Sequence, residues 1–311
     1  MPLAYGFIDY GGPDVQRFLD VPEPEPQRGE VLVEVRAAGV NPVDWKVRAG
    51  MHRAFLPLNL PAVLGREVAG TVVRIGPGVT GLAVGDAIFG STVGGSGGYA
   101  ELAVLPQDRA ARMPAGLSFT DAAALPIAAG TAYEGLAALA PASGQTLLIL
   151  GAGGGVGAVA AQIAAMDGVR VVGTASGGKR TFVESLGATA VAYDRDDVAD
   201  RLRELLPEGA DTVLDLVGGD ALQGVAGVLT TGTRVLTVAG AQTAARFGAR
   251  PLSRVGGPET LSALAGLVVA GKLDPRVGRV FPFAAAADAL ALVEAGHATG
   301  KVVLDVTTRP S

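Results

Sequence analysis

The pattern of apolar and polar positions changes character once along the chain, near Ser118. Before it, Val31-Leu32-Val33-Glu34-Val35-Arg36-Ala37 and Glu67-Val68-Ala69-Gly70-Thr71-Val72-Val73-Arg74-Ile75 alternate as half-buried strands. Turn signals interrupt them at Gly11-Gly12-Pro13, Pro22-Glu23-Pro24-Glu25-Pro26, Gly76-Pro77-Gly78 and Val84-Gly85-Asp86. Short strands between Gly/Pro turns predict a compact β-rich domain. The tract Gly94-Gly95-Ser96-Gly97-Gly98 has the composition of a linker, but Tyr99–Val104 resumes a strand at once, so the tract is a loop within that domain.

After Ser118, an N-cap for a helix through Asp121–Leu125, short apolar strands alternate with helices. The strands are Thr146–Leu150, Val169–Thr174, Ala190–Tyr193, Thr212–Val217 and Arg234–Val238. The helices are Lys179–Leu186, Val198–Leu206, Ala221–Leu229 and Thr260–Ala270. Repeated β–α units at this spacing predict an α/β region with a doubly wound parallel sheet. A helix over Ala284–Ala295 and a strand over Lys301–Val306 close the chain.

Thr146–Gly157 carries the most information. Thr146-Leu147-Leu148-Ile149-Leu150 reads as a parallel strand buried on both faces. The turn Gly151-Ala152-Gly153-Gly154-Gly155-Val156-Gly157 follows, then a helix with Val156, Val159, Ala160 and Ile163 on one face. Such a turn lets backbone approach a diphosphate, and the helix start offers N–H groups and a positive dipole end. Neither glycine register is clean: Ala152 stands first in one and Ala158 last in the other. The strand–turn–helix context makes this a dinucleotide site.

Composition narrows the function. A net charge of −5, with 18% charged residues, gives no basic surface for nucleic acid or anionic membrane. The absence of cysteine removes disulfides, thiolate metal sites and a cysteine nucleophile, and fits a cytoplasmic setting. Only two histidines, His52 and His297, are present, too few for a histidine-rich metal site. The start Met1-Pro2-Leu3-Ala4-Tyr5 lacks a signal-peptide pattern, and no apolar stretch reaches membrane-span length. The cofactor can be refined further. An acid about 20 residues beyond the glycines would bind the ribose 2′-hydroxyl of NAD. Here that place holds Thr174-Ala175-Ser176-Gly177-Gly178-Lys179-Arg180, with no acid before Glu184. A hydroxyl and two cations suit a 2′-phosphate, so NADPH is expected. The bland alternative is that Lys179-Arg180 only solvates a helix turn.

These segments, with Asn41-Pro42-Val43-Asp44, Leu64-Gly65-Arg66-Glu67-Val68-Ala69-Gly70, Val84-Gly85-Asp86, Gly98-Tyr99-Ala100-Glu101, Leu125–Ala132 and Gly300-Lys301-Val302-Val303-Leu304, resemble the zinc-free quinone oxidoreductases. These form the zeta-crystallin-like branch of the medium-chain dehydrogenase/reductase superfamily. The resemblance implies a GroES-like substrate domain (1–117 and 276–311) with an inserted Rossmann NADP(H)-binding domain (118–275). It implies cofactor contacts at Thr131, Gly154, Gly155, Val156, Ser176, Lys179 and Tyr193, with Val217-Gly218 and Val238-Ala239-Gly240 beside the nicotinamide and ribose. It also implies a homodimer pairing through Arg234–Val238 and Arg246–Leu252. Where zinc-dependent relatives have metal ligands, this chain has Asn41 and Arg66, and a guanidinium cannot ligate zinc. No tyrosine stands in Arg48–Phe55, where some enoyl reductases carry a proton donor.

The resulting expectation is an NADPH-dependent, zinc-independent reductase of quinones or α,β-unsaturated carbonyls acting on small molecules. Asn41 would hydrogen-bond the carbonyl, Arg66 would stabilise the oxyanion and His52 would supply the proton. Each has an alternative: Asn41 as a turn cap, Arg66 paired with Glu67 or Asp44, His52 merely solvated. Tyr99 is expected to pack, His297 to be structural, and Trp45 and Phe55 to line an apolar wall or the core. Competing functions are a biosynthetic enoyl reductase, a relative diverted to cyclisation, and a non-catalytic NADPH sensor.

Overall fold

The computed structural model describes residues 1–54, 56–95, 97–239 and 245–308. The chain divides into two compact units, Met1–Gly130 with Gly256–Ser311, and Thr131–Val255. In the first, β1 (Leu3–Phe7) pairs with β2 (Gln16–Asp20) and β4 (Ala62–Val63). The organising strand is β3 (Glu30–Val40). Along one edge it pairs with β5 (Glu67–Ile75), which leads on to β6 (Ala87–Ser91) and β8 (Ala110–Arg112). The first half of its other edge takes β7 (Leu102–Pro106). The alternation read from residues 31–37 is present, with Val31, Val33 and Val35 buried and Glu34 and Arg36 exposed. The strand expected to resume at Tyr99 begins at Leu102. Of the glycine tract, Ser96 lies outside the described residues.

The second unit holds a parallel sheet in the order β11-β10-β9-β12-β13-β14. Its strands are β9 (Thr146–Leu150), β10 (Arg170–Ala175), β11 (Ala188–Ala192), β12 (Ala210–Asp215), β13 (Leu229–Thr237) and β14 (Arg250–Pro251). This is the doubly wound order, with the strand sequence reversing between β9 and β12, where such sheets bind ligands. Every residue of β9 is buried, as an apolar strand covered on both faces requires. Each of its Leu and Ile side chains contributes about 1.5–3 kcal/mol by burial. Two expected helices are shorter than their patterns: Arg180–Glu184, and Asp220–Gly224 followed by a separate tight turn at Ala226–Val228.

The chain then returns to the first unit. Helix Pro258–Val269 packs on β8 and on the wide turn Leu125–Ala129, while helix Phe119–Ala123 packs on β3 and β5. By these contacts 118–130 and 256–275 are compact with the β-rich strands. The last strands, β15 (Val277–Pro282) and β16 (Lys301–Asp305), complete the sheet, with β16 pairing against the second half of β3. No helix among the described residues is long and apolar enough to cross a membrane.

A buried polar network fastens this closure. Lys301, 2% exposed, places its ammonium 2.7 Å from Glu67 Oε1 and donates to Asn41 Oδ1 (2.9 Å) and the Val40 carbonyl (2.8 Å). All three ammonium hydrogens therefore have partners. Glu67 also accepts from the Asn41 side-chain amide (2.6 Å) and from the Ile127 N–H (2.6 Å). A β-carbon on Gly39 would overlap Glu67 Oε1 and the Ala123 carbonyl, so glycine is required for this approach. Asn41 caps helix Pro42–Arg48, and Asp44 Oδ2 accepts from the Asn41 N–H (2.8 Å) and the Tyr99 hydroxyl (2.7 Å). Burial pushes the Asp44 carboxyl up to about 6, against the opposing pull of those two hydrogen bonds.

Removing one partner of a buried pair leaves an uncompensated charge. Lys301→Met is expected to lower the unfolding free energy by about 3–5 kcal/mol, read as a shift in urea midpoint. Arg201→Met, which removes the exposed 2.7 Å pair with Glu204, is expected to change it by less than ~1 kcal/mol; similar shifts for both would contradict the assignment. For Asp44, the folded state keeps its proton up to pH about 6, whereas a free aspartate carboxyl titrates at 3.8. The folded state thus binds more protons between those values, and this group's contribution to stability falls as pH rises through that window. Asp44→Asn is expected to flatten the stability slope between pH 4 and 6; an unchanged slope would remove Asp44 as its source.

Candidate active site

The glycine turn of the parallel unit is built by close approach. Gly151 has φ +90°, a conformation that glycine accepts without strain. Its N–H reaches the Thr174 hydroxyl (3.2 Å), and the Ala152 N–H reaches the Thr174 carbonyl (2.9 Å), tying the turn to β10. At Gly157 a β-carbon would sit 2.6 Å from the Ala152 Cα, so the helix Gly155–Met166 starts directly against the turn. Gly154 is its N-cap and supplies no side-chain cap. A β-carbon there would meet only the Gly151 carbonyl, at 3.8 Å. Open space above Gly154 and an uncapped first turn with Gly155 and Val156 at its start fit a diphosphate.

At the end of β10 the expected cations separate. Lys179 lies over the glycine turn, its Cδ 2.7 Å from where a Gly153 β-carbon would be, and burial lowers its ammonium pKa. Arg180 does not serve as the second phosphate cation. Its guanidinium donates to Asp196 Oδ2 (3.0 Å) and the Ala190 carbonyl (3.4 Å), so its charge is neutralised internally. Ser176 caps the short turn Gly177–Lys179. Tyr193 is 61% exposed, and its N–H donates to the Ala175 carbonyl (3.0 Å), so it stands beside the end of β10.

The loops after β12 and β13 are held by Asp215, a residue that the sequence reading did not single out. It is fully buried; Oδ1 accepts from the Val217 N–H (3.0 Å) and Gly218 N–H (2.8 Å), and Oδ2 from the Thr237 hydroxyl (2.7 Å). Thr237 in turn accepts from the Ala239 N–H (3.0 Å). A β-carbon on Gly218 (φ +77°) would be 3.2 Å from the Ala239 Cβ. Val217 and Ala239 are thereby brought together at the carboxyl edge of the sheet, with Val217 56% exposed. Thr131 is buried at the start of this unit, and Gly240 lies outside the described residues.

In the β-rich unit, Asn41 is 4% exposed, and its amide is engaged with Glu67 and Lys301. Glu67 takes Lys301 as its ion partner, not Arg66, and Asp44 takes Tyr99. The half-buried Arg66 guanidinium consequently makes no hydrogen bond or ion pair among the described residues. His52 is also half-buried; burial lowers its pKa, and Arg66 and Lys46 lower it further. Tyr99 is core: its ring fills the space beside Gly65, and burial and the Asp44 carboxylate keep the phenol protonated. Trp45 packs partly against the same core, His297 is exposed, and Phe55 lies outside the described residues. Glu67 and Lys301 were visible only as parts of family segments. The lysine that opens the Val302-Val303-Leu304 run is the one sequence signal that Lys301 is internal.

Comparison with known proteins agrees with this geometry. Residues 27–115 match the alcohol dehydrogenase GroES-like domain, and residues 186–304 match the zinc-binding dehydrogenase family. The chain is 36% identical to 2-methylene-furan-3-one reductase of Solanum lycopersicum, over 97% of this chain and 78% of that protein. It is 35% identical, with the same coverage, to the chloroplastic NADPH-dependent alkenal/one oxidoreductase of Arabidopsis thaliana. The structure of the quinone oxidoreductase from Coxiella burnetii superposes with a TM-score of 0.90 at 32% identity, covering 98% of this chain and 99% of that one. With a GroES-like unit made from both chain ends and a Rossmann unit inserted between them, the chain belongs to the medium-chain dehydrogenase/reductase superfamily, among its quinone oxidoreductase relatives, and is an oxidoreductase.

Proposed function

We propose that this chain binds NADPH along the carboxyl edge of its parallel sheet and reduces quinones or α,β-unsaturated carbonyls without a metal. The observation that carries the reading is the glycine turn opening on an uncapped helix, with a second strand followed by Ser176 and no acid in sequence before Glu184. NADPH, when bound, supplies the hydride.

The chain's own residues bind and orient. Gly155 and Val156 present N–H groups to the diphosphate, Gly154, whose own N–H donates to the Gly151 carbonyl, leaves the space for it open, and Lys179 covers the turn with a cation. Val217 and Ala239, fixed through Asp215, form a rigid rest for the nicotinamide end. Tyr193 offers an exposed ring beside the adenosine end. On the substrate side, Arg66 stabilises the negative charge that develops on the acceptor oxygen, because its guanidinium is not spent on Glu67 or Asp44. Neither Arg66 nor Asn41 is suited to hold zinc: one is a cation, and the other is engaged with Glu67 and Lys301. His52, whose pKa is lowered by burial and by Arg66, shapes the surroundings of Arg66. The relative named as an NADPH-dependent alkenal/one oxidoreductase supports both the cofactor and the acceptor class.

Purified protein is expected to oxidise NADPH in the presence of small quinones or enones, followed by absorbance loss at the nicotinamide band. Tight NADPH binding with no oxidation by any quinone, enone or enoyl thioester would sink the reductase reading and favour a sensor or a diverted enzyme. Arg66→Met is expected to lower kcat about 10²-fold while leaving the KM for NADPH nearly unchanged, with partial recovery in Arg66→Lys. Unchanged turnover in Arg66→Met would remove this residue from the chemistry.

A further inference from the structure

The two cations read from the sequence as 2′-phosphate ligands do not both face that task, and a third basic residue stands in their place. Arg195 follows the end of β11. Its backbone N–H donates to the Ala192 carbonyl (3.1 Å), and its side chain folds over Gly177, the second residue beyond β10. The Arg195 Cδ and Cζ lie 2.5 and 2.9 Å from where a β-carbon on Gly177 would sit, with Nε between them. Glycine at 177 is thus what lets the guanidinium lie on this turn. The turn is held to the same loop by the Gly177 N–H, which donates to Asp194 Oδ1 (2.6 Å).

The local charges are already apportioned. Arg180 is spent on Asp196, whose Oδ2 also accepts from the Ala192 N–H (2.8 Å). One oxygen of Asp194 is spent on Gly177. Lys179 lies toward Gly153 and the diphosphate turn. The Arg195 guanidinium makes no hydrogen bond or ion pair among the described residues, and it is exposed. In a doubly wound sheet the end of the second strand is where the adenosine ribose lies. A guanidinium held there, over the residue that follows Ser176, has the fork geometry that binds a phosphate through two N–H groups.

We propose that Arg195 is the residue that selects the phosphorylated cofactor, binding the 2′-phosphate of NADPH together with Ser176. This rests on the NADPH reading above and assigns its discrimination to one side chain outside the Ser176–Arg180 segment.

The test is isothermal titration of the full chain with 2′,5′-ADP and with 5′-ADP, for the wild type, Arg195→Leu, Arg195→Lys and Lys179→Ala. Because Arg195 is exposed, its replacement leaves the core untouched. The wild type is expected to favour 2′,5′-ADP. Arg195→Leu is expected to weaken 2′,5′-ADP by about tenfold or more, the scale of a lost charge-assisted pair, and to leave 5′-ADP within about twofold. Arg195→Lys should recover part of the loss, and the KM ratio of NADH to NADPH should fall in step. If Arg195→Leu keeps the wild-type preference while Lys179→Ala loses it, the assignment to Arg195 is overturned and the NADPH reading stands. If the wild type itself does not distinguish the two nucleotides, both are overturned.

Discussion

The β-rich unit depends on one buried ion pair. Glu67 and Lys301 are 234 residues apart in sequence, yet they meet at 2.7 Å with almost no exposure. Taking two charges out of water costs several kcal/mol per ion, and only full hydrogen bonding of both ends offsets it. Every partner in this network therefore has to be in place: Val40 and Asn41 at the end of β3, Glu67 at the start of β5, Lys301 at the start of β16, and the Ile127 N–H on the wide turn. The network holds the last strand of the chain against the first long one. It also decides what its neighbours can do. With Glu67 given to Lys301 and Asp44 to Tyr99, neither carboxylate pairs with Arg66.

The parallel unit follows the same logic with carboxylates as anchors. Asp215 fixes the loops after β12 and β13, Asp194 fixes the turn after β10, and Asp196 neutralises Arg180. Each acid is turned to backbone or to a neighbouring side chain. Facing the carboxyl edge are features suited to a dinucleotide: uncapped helix N–H groups, Lys179 over the glycine turn, and the exposed side chains Tyr193 and Val217.

Much of this was legible in the sequence because it is local. A strand buried on both faces, a glycine turn and an amphipathic helix announce themselves within Thr146–Gly157, and the missing acid beyond β10 is read in one glance. The alternating strands and the return of a final strand at Lys301 were also visible. What escaped depends on contacts across long separations. Nothing near Arg180 distinguishes it from Lys179 until β11 brings Asp196 beside it. The reading of Asn41 as a carbonyl donor did not foresee an amide engaged by Glu67 and Lys301. His52 was weighed at its ordinary pKa, whereas burial, Arg66 and Lys46 lower it. Nor does the periodicity of helices Phe119–Ala123 and Pro258–Val269 name the strands that they pack on.

The central claim is that this chain moves a hydride from NADPH to a conjugated acceptor. Incubation with NADPH deuterated at one face of nicotinamide C4, an enone acceptor and product analysis by mass spectrometry tests it most directly. The expected result is one deuterium at the β-carbon of the saturated ketone from one labelled face and none from the other. Reduced ketone without label from either face, or no reduced product despite saturating NADPH, would contradict it.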